Sequence, residues 1–227
     1  MNSTVKFVVN MTVSTLIASS GAVALASGAA SSTVNNATTR PTIEVRVYDY
    51  VHLERKNLQV AENEASRIFS DAGVSVRWVD CPTSHADVDA FPACSAPPST
   101  VSNTLIILKG AGATGTRADY LIGETQGAHR ATVFYSRMAR LAGGDVAPAD
   151  IVMGRLITHL VGRDLLGGEA YAKTGILQDF WSDEQLNEIA GTAVLFTPAQ
   201  ARRLVSRIDA QNQALASAQS PVNANGQ

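Results

Sequence analysis

The sequence predicts an α+β domain: a mixed, twisted sheet packed against a long helix, with a second long helix and small C-terminal helices. Three observations predict it. Ile43, Val45 and Val47 alternate with Glu44, Arg46 and Tyr48, the period of two expected of a half-buried strand. Leu58, Ala61, Ala65, Ile68 and Ala72 fall on one helical stripe that stops at Gly73, a residue suited to a helix C-terminus. From Ala147 onward the pattern turns helical again, and 150–167 is the longest candidate helix.

The chain has 227 residues, 45% hydrophobic and 17% charged, the composition of a globular protein. Its formal net charge of -2 gives no reason to expect nucleic acid as a partner. Lys6 is the only charge before Arg40, and the apolar stretch from Phe7 to Ala26 ends in Ala24-Leu25-Ala26. That pattern reads as a cleaved signal peptide over 1–26. Asn10, Thr12, Ser14, Thr15, Ser19 and Ser20 make the same stretch a poor membrane anchor. The expected location is therefore secreted or periplasmic. Residues 27–40 read as a disordered lead-in, 41–210 as the folded domain and 211–227 as a disordered tail without an apolar face.

The first strand leads into a helix over 56–72. A second strand follows, with Val74, Val76 and Trp78 alternating against Ser75, Arg77 and Val79. Strand, helix, strand in that order favours a parallel pair. Cys81 and Cys94 flank a Pro-containing loop, and outside the cytoplasm such a pair reads as a disulfide. Residues 104–108 form a short apolar run suited to a central strand, and 131–135 form another β-rich run. The stretch between them has no assignable pairing. Its Gly110-Ala111-Gly112-Ala113-Thr114-Gly115 matches a dinucleotide fingerprint, but no helix or second βαβ half supports it, so it reads as a loop. Ser182 with Gln185, and Thr197 with Gln200 and Pro198, predict two short closing helices. The last carries Ala201, Leu204, Val205 and Ile208 inward. His52, His85 and His129 are isolated in the sequence and read as surface residues.

Chemistry concentrates in Leu156-Ile157-Thr158-His159-Leu160-Val161-Gly162-Arg163-Asp164-Leu165-Leu166-Gly167. On a helix, positions 159 and 163 lie one turn apart on a shared face. The segment resembles the H-E-x-G-H-x-x-L-G helix of metzincin-like zinc metallopeptidases, with His159, Gly162, Leu166 and Gly167 in register. Thr174-Gly175-Ile176-Leu177 resembles the turn beneath the metal, which usually ends in methionine, and Trp181-Ser182 opens the next helix. Leu195-Phe196-Thr197-Pro198 resembles the end of exported bacterial zincin-like domains. The resemblance spans nearly all of 41–210 and implies a zincin-like fold.

The departures bear on function. In that family two histidines hold zinc, and the glutamate after the first acts as general base. Here the base position holds Leu160, which cannot move a proton. The second ligand position holds Arg163, always charged and without a lone pair to give. The third appears at Tyr171, a phenol with a pKa near 10, and Leu177 replaces the methionine. The resemblance thus implies a degenerate member, a pseudo-metallopeptidase with no catalytic residue. His159, Arg163 and Tyr171 are vestigial positions, no cofactor is expected, and the remnant cleft is free to take a peptide or protein. The rival is an active zinc-dependent metallopeptidase using His159, Tyr171 and Glu169, and a third reading is a structural domain without ligand. Asp164 points near the apolar side of the helix with Met153, Ile157 and Val161. It needs either an arginine partner or a frayed helix end.

Overall fold

Strand β1 (Thr42–Asp49) occupies an inner position in a five-stranded sheet of order β2-β1-β3-β5-β4. The structure is a computed structural model describing residues 40–84, 87, 90–110, 122–127, 129–142, 148–167, 172–178 and 194–219, all within one unit, Thr38–Gln227. Helix α1 (Arg55–Asp71) connects β1 to β2 (Ser75–Cys81), and these strands pair in parallel as the sequence predicts. Strand β3 (Val101–Leu108) pairs in parallel on the other side of β1, and β5 (Arg130–Phe134) continues the parallel set. Short β4 (Gly123–Thr125) runs antiparallel to β5 and ends the sheet order. It falls in the stretch whose pairing the sequence left unassigned.

Four local readings are corrected. β3 begins at Val101 rather than Thr104, because Ser102 and Asn103 continue the ladder with β1. Tyr135 is not strand but the start of α3 (Tyr135–Ala142). A single helical turn, α2 (Pro92–Ser95), lies inside the cysteine loop, with proline at its start. Finally, β1 is covered on both faces. Glu44 was expected to face outward, yet only 1% of it is exposed. Cys94, at the end of the disulfide-closed loop, is tied to β1 through Arg46. Arg46 donates to Glu44 at 2.6 Å and to the carbonyls of Cys94 (3.0 Å) and Ala96 (2.6 Å), and Arg77 pairs with the same carboxylate. An ionic cluster thus covers Glu44 on the sheet's second face.

Helix α4 (Ala149–Leu166) crosses the first face and is buried almost all round, from Val152 to Gly162 and again at Leu165 and Leu166. It lies against α1 so closely that a β-carbon on Gly154 would stand 2.5 Å from the Ala61 carbonyl oxygen. Beside this crossing, Arg155 Nε donates to Glu64 Oε1 at 2.9 Å, and Arg67 binds Glu64 with two further hydrogen bonds. The bonds from Arg67, and secondarily Arg155, outweigh burial and hold the Glu64 carboxyl below the ordinary range.

The closing helix α5 (Pro198–Gln219) starts at the predicted capping box. Thr197 N–H donates to Gln200 Oε1 at 2.9 Å, and Gln200 N–H donates back to Thr197 Oγ1 at 3.3 Å. Leu204 and Ile208 are fully buried as expected. The helix does not stop near Ala210, so the reading of 211–227 as a disordered tail fails for its described part, up to Gln219. Side-chain amides replace the missing apolar face. Asn212 accepts from Val101 N–H at 2.7 Å and donates to the Thr42 carbonyl at 3.0 Å. Gln219 donates to the Pro98 carbonyl at 3.1 Å. The other predicted closing helix, at Ser182 and Gln185, lies outside the described residues.

The α1–α4 crossing yields a prediction. Gly154→Ala gains about 1 kcal/mol of helix propensity. Its new methyl meets backbone that no rotamer change can move, and overpacking costs about 1–3 kcal/mol or more. With backbone only 2.5 Å away the cost falls at the upper end of that range, so the net outcome is destabilisation by about 2 kcal/mol, read as a lower urea midpoint with unchanged slope.

Candidate functional site

The site is built on the C-terminal half of α4, with the 172–178 turn packed against it. Gly175 makes the turn possible. It has φ +82°, and a β-carbon there would stand 2.9 Å from the Leu195 carbonyl oxygen. The same stretch of backbone closes a hydrogen bond from Ile176 N–H to Leu195 O at 2.9 Å. Ile176 and Leu177 are fully buried, and Leu177 and Phe196 both pack against Gly162 of α4. The segment singled out as a turn beneath the site does lie against the His159 helix.

His159 is 7% exposed, and its Nδ1 lies 2.7 Å from the Ile176 carbonyl oxygen. A carbonyl only accepts, so Nδ1 carries the proton and Nε2 is left as the acceptor nitrogen. Burial pushes the imidazole pKa down to about 4; the Ile176 hydrogen bond opposes that and the nearby Arg163 charge adds to it. His159 is therefore neutral at ordinary pH. Leu160 is 3% exposed. It packs beneath β4, its Cδ1 lying 2.7 Å from where a Gly123 β-carbon would stand. Arg163, one turn beyond His159, is half-buried. Tyr171 and Glu169 lie outside the described residues. Among the described residues no group of three or more His, Cys, Asp or Glu side chains could hold a metal ion.

Asp164 takes neither route expected for it. The helix continues through Leu166, and the partners are not arginines. Asn103 Nδ2 donates to the carboxylate at 2.6 Å, His129 N–H donates at 3.0 Å, and the His129 ring lies 3.4 Å away. A signal was available, because Asn103 shares the inward register of Val101, Leu105 and Ile107 on β3. A polar residue in a buried register requires a buried partner. His52 and His129 are exposed; His85 lies outside the described residues, as does the loop from Ala111 to Gly115.

One group escaped the sequence reading. Glu62 on α1 is 5% exposed. Burial first, then the neighbouring Asp80 carboxylate, raise its pKa to about 7, and Arg55 opposes the rise. Arg55 bridges the pair, 2.5 Å from Asp80 and 3.7 Å from Glu62.

No protein-family model matches the chain, and no curated protein matches it. Among solved structures it is similar to archaemetzincin from Methanopyrus kandleri, at 11% identity and a TM-score of 0.48, over 78% of this chain and 99% of that one. No helix among the described residues is long and apolar enough to cross a membrane.

His159 and Glu62 pull stability in opposite directions. An unfolded chain protonates His159 below about pH 6.5 while the folded one resists until about 4, so this group's contribution is lost as pH falls through that window. Glu62 keeps its proton in the folded state up to about pH 7, against 4.5 otherwise, so its contribution is lost as pH rises. Comparing wild type with His159→Gln cancels the Glu62 contribution. The stability difference between them is expected to grow by on the order of 3 kcal/mol from pH 4 to 6.5, measured by urea unfolding at fixed pH values. A difference that does not change with pH would show that His159 titrates normally.

Proposed function

We propose that this protein is an exported, catalytically inactive zincin-fold protein, a pseudo-metallopeptidase whose remnant cleft binds a peptide or protein. The observation that carries the reading is the set of side chains on one face of α4. His159, Leu160 and Arg163 stand where zinc-dependent peptide hydrolysis needs histidine, glutamate and histidine. The described residues do not fit a zinc ion. Leu160 is an apolar plug under β4, and Arg163 already disfavours positive charge at the His159 ring, a field that a divalent cation would also meet.

Peptide binding would not need a metal. β4 ends the described sheet, and an edge strand recognises an extended peptide through main-chain hydrogen bonds. Arg163 supplies a cation for a carboxylate such as a peptide C-terminus. Export is supported by the N-terminal pattern and by the Cys81–Cys94 disulfide.

One observation favours the rival, an active metallopeptidase using His159, Tyr171 and Glu169. A neutral imidazole with Nδ1–H on a carbonyl has the orientation of a metal ligand. Metal analysis separates the two. The mature protein is expected to hold no stoichiometric zinc after dialysis; zinc that is retained, and lost on His159→Ala, would sink the inactive reading. The zincin assignment is tested by Leu160→Glu, Arg163→His and Tyr171→His combined, which should create zinc binding. A well-folded triple variant that takes up no zinc would count against the family. For the cleft, Arg163→Ala should weaken binding of peptides with a free C-terminus by roughly tenfold or more, the scale of a charge-assisted hydrogen bond. The C-terminally amidated forms should be unaffected, and an equal loss for both would remove Arg163 as the carboxylate anchor.

A further inference from the structure

A groove of about 430 Å³ runs between the C-terminal part of α5 and the entry to β3. Pro98, Val101, Ala214 and Leu215 give it apolar walls, and Thr100, Gln211 and His129 supply polar groups. None of His159, Leu160 and Arg163 lines it, so its chemistry is independent of theirs. The walls are fixed in advance. Asn212 ties α5 to Val101 and Thr42, and Gln219 ties it to Pro98. His129, at φ +69°, adopts a backbone conformation rare for a side-chain-bearing residue. The buried Asp164 carboxylate holds it there through the backbone and the ring, leaving the ring half-exposed.

Two of the polar groups carry the chemistry. Gln211 Oε1 and Thr100 Oγ1 are closed off from solvent and have no hydrogen-bond partner among the described residues. Buried polar atoms are almost always partnered. Gln211 is itself only half-buried, so its flexible amide can turn toward the groove. No carboxylate, ammonium or guanidinium group is among the described lining residues. A charged guest would therefore lose hydration without finding a partner.

We propose that this groove is a binding site for a compact, uncharged molecule with an apolar body and one N–H or O–H donor. The body packs on Val101, Ala214 and Leu215, and the Gln211 amide rotates to bring Oε1 to the donor. Volume and lining match small-molecule sites, which are mostly apolar with a few placed polar groups.

Indole and indene test it, since they share a shape and only indole carries a donor. Each is titrated into the whole mature protein while backbone amide NMR shifts are followed. Indole is expected to give saturable shifts at Val101, His129, Gln211 and Leu215. It should bind roughly three- to tenfold more tightly than indene, the factor one net hydrogen bond supplies. Gln211→Leu should erase that preference and keep binding. Ala214→Trp, at an exposed position, should fill the groove and abolish binding of both. The proposal is overturned by saturable shifts confined to other residues, by no binding of either probe, or by equal affinities in the wild-type protein. It also fails if an Ala214→Trp variant with a native circular dichroism spectrum binds as the wild type does.

Discussion

Where α1 and α4 cross, two helical backbones meet with only a hydrogen atom of Gly154 between them. The close approach seats α4 against both α1 and the sheet, and burial then follows on nearly every side of that helix. Two charged groups cannot escape the contact. Glu64 and Arg155 are buried beside it and pair through Arg155 Nε, since an unpaired charge there would cost several kcal/mol. The position of α4 fixes everything built upon it. Gly162 receives Leu177 and Phe196, Leu160 meets β4, and Asp164 reaches β3 and the turn before β5.

The imidazole of His159 belongs to this framework. Its hydrogen bond to Ile176 joins α4 to a turn whose shape depends on Gly175. Burial favours the neutral ring, and the neutral ring donates to a carbonyl while keeping its second nitrogen as an acceptor. A structural tie and a ligand-like orientation are thus the same arrangement. The neighbours distinguish the roles, and they are an apolar leucine and a guanidinium. Chemistry at such a position is decided by the partners a side chain is given.

Much of the architecture could be read from residue spacing. The β1–α1–β2 parallel unit, the long α4, the disulfide and the capping box at Thr197 and Gln200 each rest on a local pattern that tertiary packing did not overrule. Long-range contacts overruled other readings. Glu44 alternates like a surface residue and is buried where two arginines, one of them tied to Cys94, pair with it. The segment after Ala210 has no apolar stripe and is tied down as a helix by Asn212, which binds backbone of β1 and β3, and by Gln219, which binds Pro98. At the site, the identities at 159, 160 and 163 were plain from the sequence. The pairing of Asp164 with Asn103 and the raised pKa of Glu62 were not, because each depends on a residue from another element.

The tie between Asn212 and Thr42 has a kinetic meaning. These residues lie 170 positions apart, so the amino end of β1 is latched by a segment made long after it. Contacts of such span form late, because the loop they close must first lose its freedom. During synthesis the amino ends of β1 and β3 lack their α5 latch until the C-terminal helix emerges. A sheet built this way gains its last ties only after α5 has been made.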